Sequence, residues 1–537
     1  MGGLHLAAAV GALFLAASLG PGCNRAPARS PGSAERAQQG NLIPARVRRL
    51  SNVEYERTVS ELVGATENIA ARLPPDVRQE GYTVNADQAV PAAWNERLAA
   101  VAREVAHRAV EQRLDRLAPC AKSGAPSCVE EWIDTLGRRA YRRPLDPAER
   151  SDLRAAFTAG AADGRGLAGG AEVVLTIVLQ SPNLLYVTEL GQGGPPGTVT
   201  RLTPYEIASA LSYAVRGGPP DDELLAAASS GTLISADGRE THARRLLGLS
   251  ETRHHFRRFV LEWLEVDGLQ LTAKNEQLFP GYEALEPRML AETSAFVDEA
   301  MVYGRGSIRA LLDANFASVD PPMARFYQLR TWGPRASLAG SRRAGLVQQA
   351  SFLAAHAHED STSPVKRGDF VMRKLLCSKV PRPAELGIEV KIPPSTSART
   401  TRERFSAHVE DAACSSCHAT LDALGYTFEG FDAMGAARAK ENGKEIDTAA
   451  RVKLGGEVRT FADSLELSRW LAREPAVSEC FARHAFRYFS AQSDPRIEAK
   501  FLELRRSLPA DSSDSLFEDL VVYLKSDLFI EREVRAP

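Results

Sequence analysis

Leu202-Thr203-Pro204-Tyr205-Glu206-Ile207-Ala208-Ser209-Ala210-Leu211-Ser212-Tyr213-Ala214-Val215 carries every sign of a helix start. Thr203 suits the N-cap, where a hydroxyl accepts from a backbone N–H of the first turn. Pro204 suits the first helical position, where its missing N–H would have had no partner. Glu206, three residues after the cap, completes a capping box. Ile207, Leu211 and Val215 then recur at every fourth residue and share one helical face. Ser51-Asn52-Val53-Glu54 and Asp146-Pro147-Ala148-Glu149 repeat the signal. Trp132, Leu136 and Ala140 line another apolar face, as do Phe256, Val260 and Trp263, and Phe481, Ala485, Phe486 and Phe489. Aromatics at this spacing predict core contacts. Val173 to Leu179 reads equally as buried helix or strand. No segment shows sustained strand alternation, so the fold class is mainly α.

The chain has 537 residues, too many for one ordinary core, so several helical blocks are expected. Stretches rich in Gly, Pro and Ser near 64–90, 119–128, 191–200, 330–342, 379–400 and 440–460 mark the breaks. They give blocks at 45–118, 119–198, 199–335, 336–440 and 441–537. The net charge of −2 offers nucleic acid no electrostatic attraction. Arg46-Val47-Arg48-Arg49, and Arg138-Arg139 with Arg142-Arg143, read as solvated helix faces or internal ion pairs.

Leu6 to Leu19 is an apolar run too short to span a bilayer but right for a signal-peptide core. Small residues and then Cys23 follow, which resembles a lipobox, although Gly20-Pro21-Gly22 and the absence of Lys or Arg before the run depart from it. The expectation is export, with 1–23 as leader, lipid on Cys23 and a flexible tether over 24–44. The bland alternative is an ordinary signal peptide cut nearby. The protein would then be periplasmic or at the outer membrane or cell surface, held to the membrane by its lipid. No later segment is apolar enough to be a transmembrane helix.

Seven cysteines are present. Cys414-Ser415-Ser416-Cys417-His418 is a Cys-x-x-Cys-His sequence, the attachment signal for haem c. Two thiols so spaced reach the two vinyl groups of one haem, and the next residue presents imidazole to the iron. A redox disulfide is a rival, but it would want a thioredoxin-like strand–helix context that is not evident. Zinc is the other rival, with Cys377 and Cys480 as further ligands. Setting aside Cys23, Cys414 and Cys417 leaves four cysteines in an oxidising compartment. Cys120 with Cys128, and Cys377 with Cys480, are the simplest pairs, although sequence does not fix connectivity. The C-terminal part thus gains a c-type haem-binding segment.

The flanks, from His408 through Cys414, Cys417, His418, Asp422, Gly425, Glu429, Phe431 and Asp432 to Met434-Gly435, resemble the planctomycete and myxobacterial family of exported haem-c proteins. That family is built of successive domains of unknown function. Arg49-Leu50-Ser51-x-x-Glu54-Tyr55, Gly81-Tyr82 to Asn85, Arg139-Ala140-Tyr141-Arg142-Arg143-Pro144-Leu145, Ser181-Pro182-Asn183-Leu184-Leu185-Tyr186, Pro220-Asp221-Asp222-Glu223-Leu224-Leu225 and Thr362-Ser363-Pro364-Val365-Lys366-Arg367-Gly368 extend the resemblance over most of the chain. It implies an exported haem protein serving polysaccharide or other extracellular oxidation. One departure is Asp422-Ala423, where the family usually has Asp-Pro.

The sixth iron ligand separates an electron carrier from a catalyst. Met434, His408 and His484 are the candidates, and an empty position is the alternative. His356-Ala357-His358-Glu359-Asp360 resembles a metal cluster, but a structural or haem-neighbour role is the simpler reading. Arg367 and Arg438 suit haem propionates or buried ion pairs equally. No nucleophile elbow, P-loop or dinucleotide-binding turn is present. Three functions follow. The first is an electron-transfer lipoprotein with one haem c and a redox partner, a dehydrogenase or cytochrome. The second is a peroxidase-like haem enzyme with an open distal face. The third is a non-catalytic polysaccharide-binding surface lipoprotein.

Overall fold

Capping boxes set the helical frame. Ser51 with Glu54, Asp146 with Glu149 and Thr203 with Glu206 each exchange both bonds, and they open the helices Asn52–Val63, Pro147–Ala161 and Pro204–Arg216. The computed structural model describes residues 40–64, 68–118, 127–381, 385, 399–406, 412–509 and 514–536, and the side chains of all of these but 303, 412–414, 416 and 417. The expected leader, Cys23 and the tether as far as 39 lie outside the described residues. Helix makes up 57% of the protein, so it is mainly helical with a few small sheets. Among the described residues, no helix is long and apolar enough to cross a membrane.

Gly40–Pro537 forms one compact unit. Its largest apolar cluster is central. Phe256, Phe259 and Trp263 of Ser250–Trp263 meet Phe481 and Phe489 of Pro475–Ser490, with the Trp263 and Phe481 ring centroids 5.0 Å apart. Each such ring, fully buried, contributes roughly 1.5–3 kcal/mol. A second cluster gathers Trp94, Trp132 and Val174 of the N-terminal helices. A third holds Met289, Tyr327 and Met434. Val173 to Val178 resolves as helix, the end of Gly166–Val178, and Leu179 is its C-cap. Gly170 presses on the Phe157 ring there, where a Cβ would collide.

Strands tie distant parts of the chain together. Arg46–Arg49 pairs antiparallel with Tyr186–Glu189, and Val199–Arg201 with Glu531–Glu533. The Arg46-to-Arg49 run is therefore a strand, not a helix face, and its arginines make internal ion pairs. Arg48 pairs with Glu54 at 2.7 Å and Arg49 with Asp76 at 2.9 Å, all nearly buried. Arg46 and Arg532 converge on buried Glu189. The end of the expected 24–44 tether is packed: Ile43 is fully buried and its carbonyl accepts from the Glu533 amide.

The break expected at 440–460 is two hairpins. Lys440–Glu441 pairs with Lys444–Glu445, and Ala450–Leu454 with Glu457–Phe461. Ala450, Val452 and Leu454 point inward while Arg451 and Lys453 are exposed. The alternation is real but only five residues long, and Gly455-Gly456 at its turn read as a loop.

Candidate functional site

Cys414, Cys417 and His418 lie on the helix Ala412–Tyr426. The Cys414 and Cys417 side chains lie outside the described residues. His418 is three-quarters buried, and its Nδ1 is 2.9 Å from Oδ1 of Asp422 one turn later. Asp422 is 1% exposed. A carboxylate oxygen at this distance suits an Nδ1–H donor, the tautomer that would leave Nε2 to ligate a metal.

This helix is set against Pro364–Phe370, which Ser363 caps. Gly425 abuts the Pro364 carbonyl and Gly368 abuts that of Leu421, and a Cβ at either would overlap the opposing backbone. Beyond the helix end, Glu429 is buried and accepts from Thr362 at 2.7 Å and from Arg438 at 2.7 Å. Arg367, fully buried, donates to the carbonyls of Phe428, Leu353 and Asp432. Burial pushes its guanidinium down to about 10, against the opposing pull of Glu429. Arg438 also faces Glu441 at 3.4 Å. Both arginines considered for propionates thus serve the fold.

Arg404, on Thr401–Phe405, differs. It is 7% exposed, and its Nε and Nη2 have no hydrogen-bond partner. Two residues before it, the Arg402 guanidinium sits over the ring of Tyr426, the last residue of the Cys-x-x-Cys-His helix, at 4.4 Å from the centroid. Burial first, then Lys366 with Lys274 and Arg404, pushes the His358 imidazole down to about 4, with Asp360 opposing.

Two of the three sixth-ligand candidates lie among the described residues. Met434 packs in the third apolar cluster. His408 lies outside the described residues. His484 is buried, with Nδ1 3.0 Å from the Tyr82 hydroxyl, and burial holds it well below the usual imidazole range. Cys377 and Cys480 are joined in a disulfide beside it. These three are the only described His, Cys, Asp or Glu residues grouped closely enough to hold a metal ion, and the two sulfurs are bonded to each other. Cys128 is in a disulfide, and Cys120 lies outside the described residues. The His356 Nε2–H donates to the Leu264 carbonyl at 3.1 Å, and its ring packs on Phe352. Among the described residues it is in no metal-binding group with His358.

Four families match successive segments. Each is described as a protein of unknown function: DUF1587 (PSD3) over 48–111, DUF1595 (PSD5) over 128–189, DUF1592 (PSD4) over 202–329 and DUF1588 (PSCyt3) over 343–441. Between residues 48 and 441 the chain thus matches a succession of domains of unknown function. The last of them contains Cys414, Cys417, His418 and Asp422, and also Arg404 and Met434. No curated protein and no solved structure matches the chain. Two features of the site do not stand out in the sequence, the contact of Asp422 with His418 and the burial of Arg404. The spacing of four between His418 and Asp422 on a helix is the signal for the first. The second has none, since a lone arginine in Thr401-Arg402-Glu403-Arg404-Phe405 looks solvated.

Proposed function

We propose that this chain is an exported lipoprotein carrying one covalent haem c, and that it passes single electrons between a partner dehydrogenase or cytochrome and a further acceptor outside the cytoplasm. The carrying observation is His418, four residues from Cys414 on the same helix and oriented by buried Asp422. The residues suit the group. Cys414 and Cys417 would supply the two thiols, His418 Nε2 the ligand nitrogen, and Arg404 a buried cation, with Nε and Nη2 lacking a hydrogen-bond partner, for a propionate. When bound, haem supplies one-electron chemistry with a potential set by its axial ligands and burial. The name PSCyt3, carried by the family over 343–441, is in keeping with a cytochrome-like role. Polysaccharide oxidation is the proposed setting, and Cys23 the proposed lipid anchor.

A second reading, a haem enzyme with an open distal face, draws on the packing of Met434 and the bond from His484 to Tyr82. One experiment separates them. The chain is matured with a haem c assembly system and its absorption spectrum is recorded ferric, reduced and with cyanide. Haem that survives denaturation, with a low-spin spectrum and slow cyanide binding, supports electron transfer. A high-spin spectrum with rapid cyanide binding supports the enzyme. Haem lost on denaturation sinks both.

A further inference from the structure

A carboxylate buried as deeply as Asp422, at 1% exposure, is costly unless its charge is compensated. It sits 2.9 Å from the Nδ1 of His418, the residue that would bind iron through its other nitrogen. A surface pair at this helical spacing is worth only about 0.3–0.5 kcal/mol. In a dry site, however, the same contact polarises the ring far more strongly. The proton on Nδ1 is shared with an anion instead of a neutral carbonyl, and the imidazole takes on anionic character. Electron density given to Nε2 favours the ferric over the ferrous state, because the metal with the higher charge gains more from an electron-rich ligand.

We infer that Asp422 is a positioning residue that makes His418 an electron-rich ligand and lowers the potential of this centre. The inference rests on the haem reading and deepens it. The centre belongs with donors of low potential, and it resists reduction by donors of higher potential. The local geometry is built for the contact. Gly425, one turn beyond Asp422 toward Glu429, lets the helix close on Pro364–Phe370, and that closure buries this stretch of the helix. Without Asp422 the His418 ring would keep its place in the motif and lose its anionic partner. Asp422→Asn keeps size and burial but presents an amide, whose oxygen is a far weaker acceptor.

The test is equilibrium redox titration of the full-length, haem-loaded wild type and Asp422→Asn. The expected result is a shift of the ferric/ferrous equilibrium toward ferrous by at least about tenfold, which for a one-electron couple is about 59 mV upward. A second measurement uses the wild type alone. Resonance Raman after photolysis of the carbon monoxide adduct of ferrous protein should place the iron–imidazole stretch at the high frequency of an anionic ring. A matching potential in wild type and variant overturns the inference, as does a stretch at the frequency of a neutral, carbonyl-bonded imidazole. If covalent haem is held and neither readout moves, only the role of Asp422 falls. If no haem is held by the wild type, the haem reading falls and this inference with it.

Discussion

Gly368 and Gly425 meet where two helices cross, so closely that a Cβ on Gly368 would lie 3.3 Å from the Gly425 amide nitrogen and overlap the Leu421 carbonyl. Neither residue has a positive φ, so the need for glycine here is space and not backbone conformation. Gly425→Ala should force the Cys-x-x-Cys-His helix off Pro364–Phe370. Overpacking of this kind costs on the order of 1–3 kcal/mol. Urea unfolding of the variant should show that loss, and, on the proposed haem reading, maturation should give a reduced yield of covalent haem. A midpoint equal to the wild type would mean the crossing is looser than its geometry.

The Cys377–Cys480 bridge closes a loop with a sequence separation of 103. Loop closure on that scale removes about 4.7 kcal/mol of unfolded-state entropy in the chain-entropy model, and measured effects run at about 2–5 kcal/mol. Replacing both cysteines with alanine should lower stability by a few kcal/mol. Adding reductant to the wild type under unfolding conditions should do the same. Equal denaturation midpoints with and without reductant would exclude a stabilising bridge.

Glu189 joins the first and last strands. Burial raises its carboxyl, but Arg46 and Arg532 outweigh that and hold it down to about 2. A carboxylate depressed from its ordinary value of 4.5 adds stability that is full above about pH 4.5 and lost as pH falls toward 2. Glu189→Gln strands two buried guanidinium groups, which costs about 3–5 kcal/mol. Acid unfolding should begin at higher pH in the variant, followed by circular dichroism. An unchanged acid transition would mean that Glu189 does not hold the two strands together.

Much of the helical frame was legible because its signals are local. Thr203, Pro204 and Glu206 fix a helix start within four residues, and Ile207, Leu211 and Val215 fix its buried face. The count of cysteines pointed to the pair that the structure bonds. Short strands were less legible. Arg46–Arg49 is a strand because Tyr186–Glu189, distant in sequence, pairs with it, and buried carboxylates receive its charges. At the site, the motif was plain, but its supports are tertiary. The crossing of Gly368 with Gly425, and the burial that leaves Nε and Nη2 of Arg404 without a hydrogen-bond partner, exist only once the helices have packed.

Glu292 gives the clearest pH signature. It is almost wholly buried, accepts from the Tyr327 hydroxyl at 2.7 Å, and has no partner for Oε1. Burial pushes its carboxyl up to about 8, although the Tyr327 bond and Arg343 both pull it down. The folded state therefore binds a proton that the unfolded chain, titrating near 4.5, has released. Wherever the folded state holds more protons, stability falls as pH rises. The loss begins near pH 4.5 and is complete above about 8. It amounts to a few kcal/mol, since each pH unit crossed between those limits removes about 1.4 kcal/mol. Asp519, raised to about 7 by burial against the pull of Arg505, adds to the same trend. His255, lowered to about 3 by burial, opposes it on the acid side. Glu292→Gln isolates the one group, since the amide cannot titrate. Urea midpoints from pH 5 to 9 should show the variant gaining on the wild type as pH rises, with the gap levelling off above 8. A gap constant across that range would mean that Glu292 is already ionised in the folded protein at pH 5.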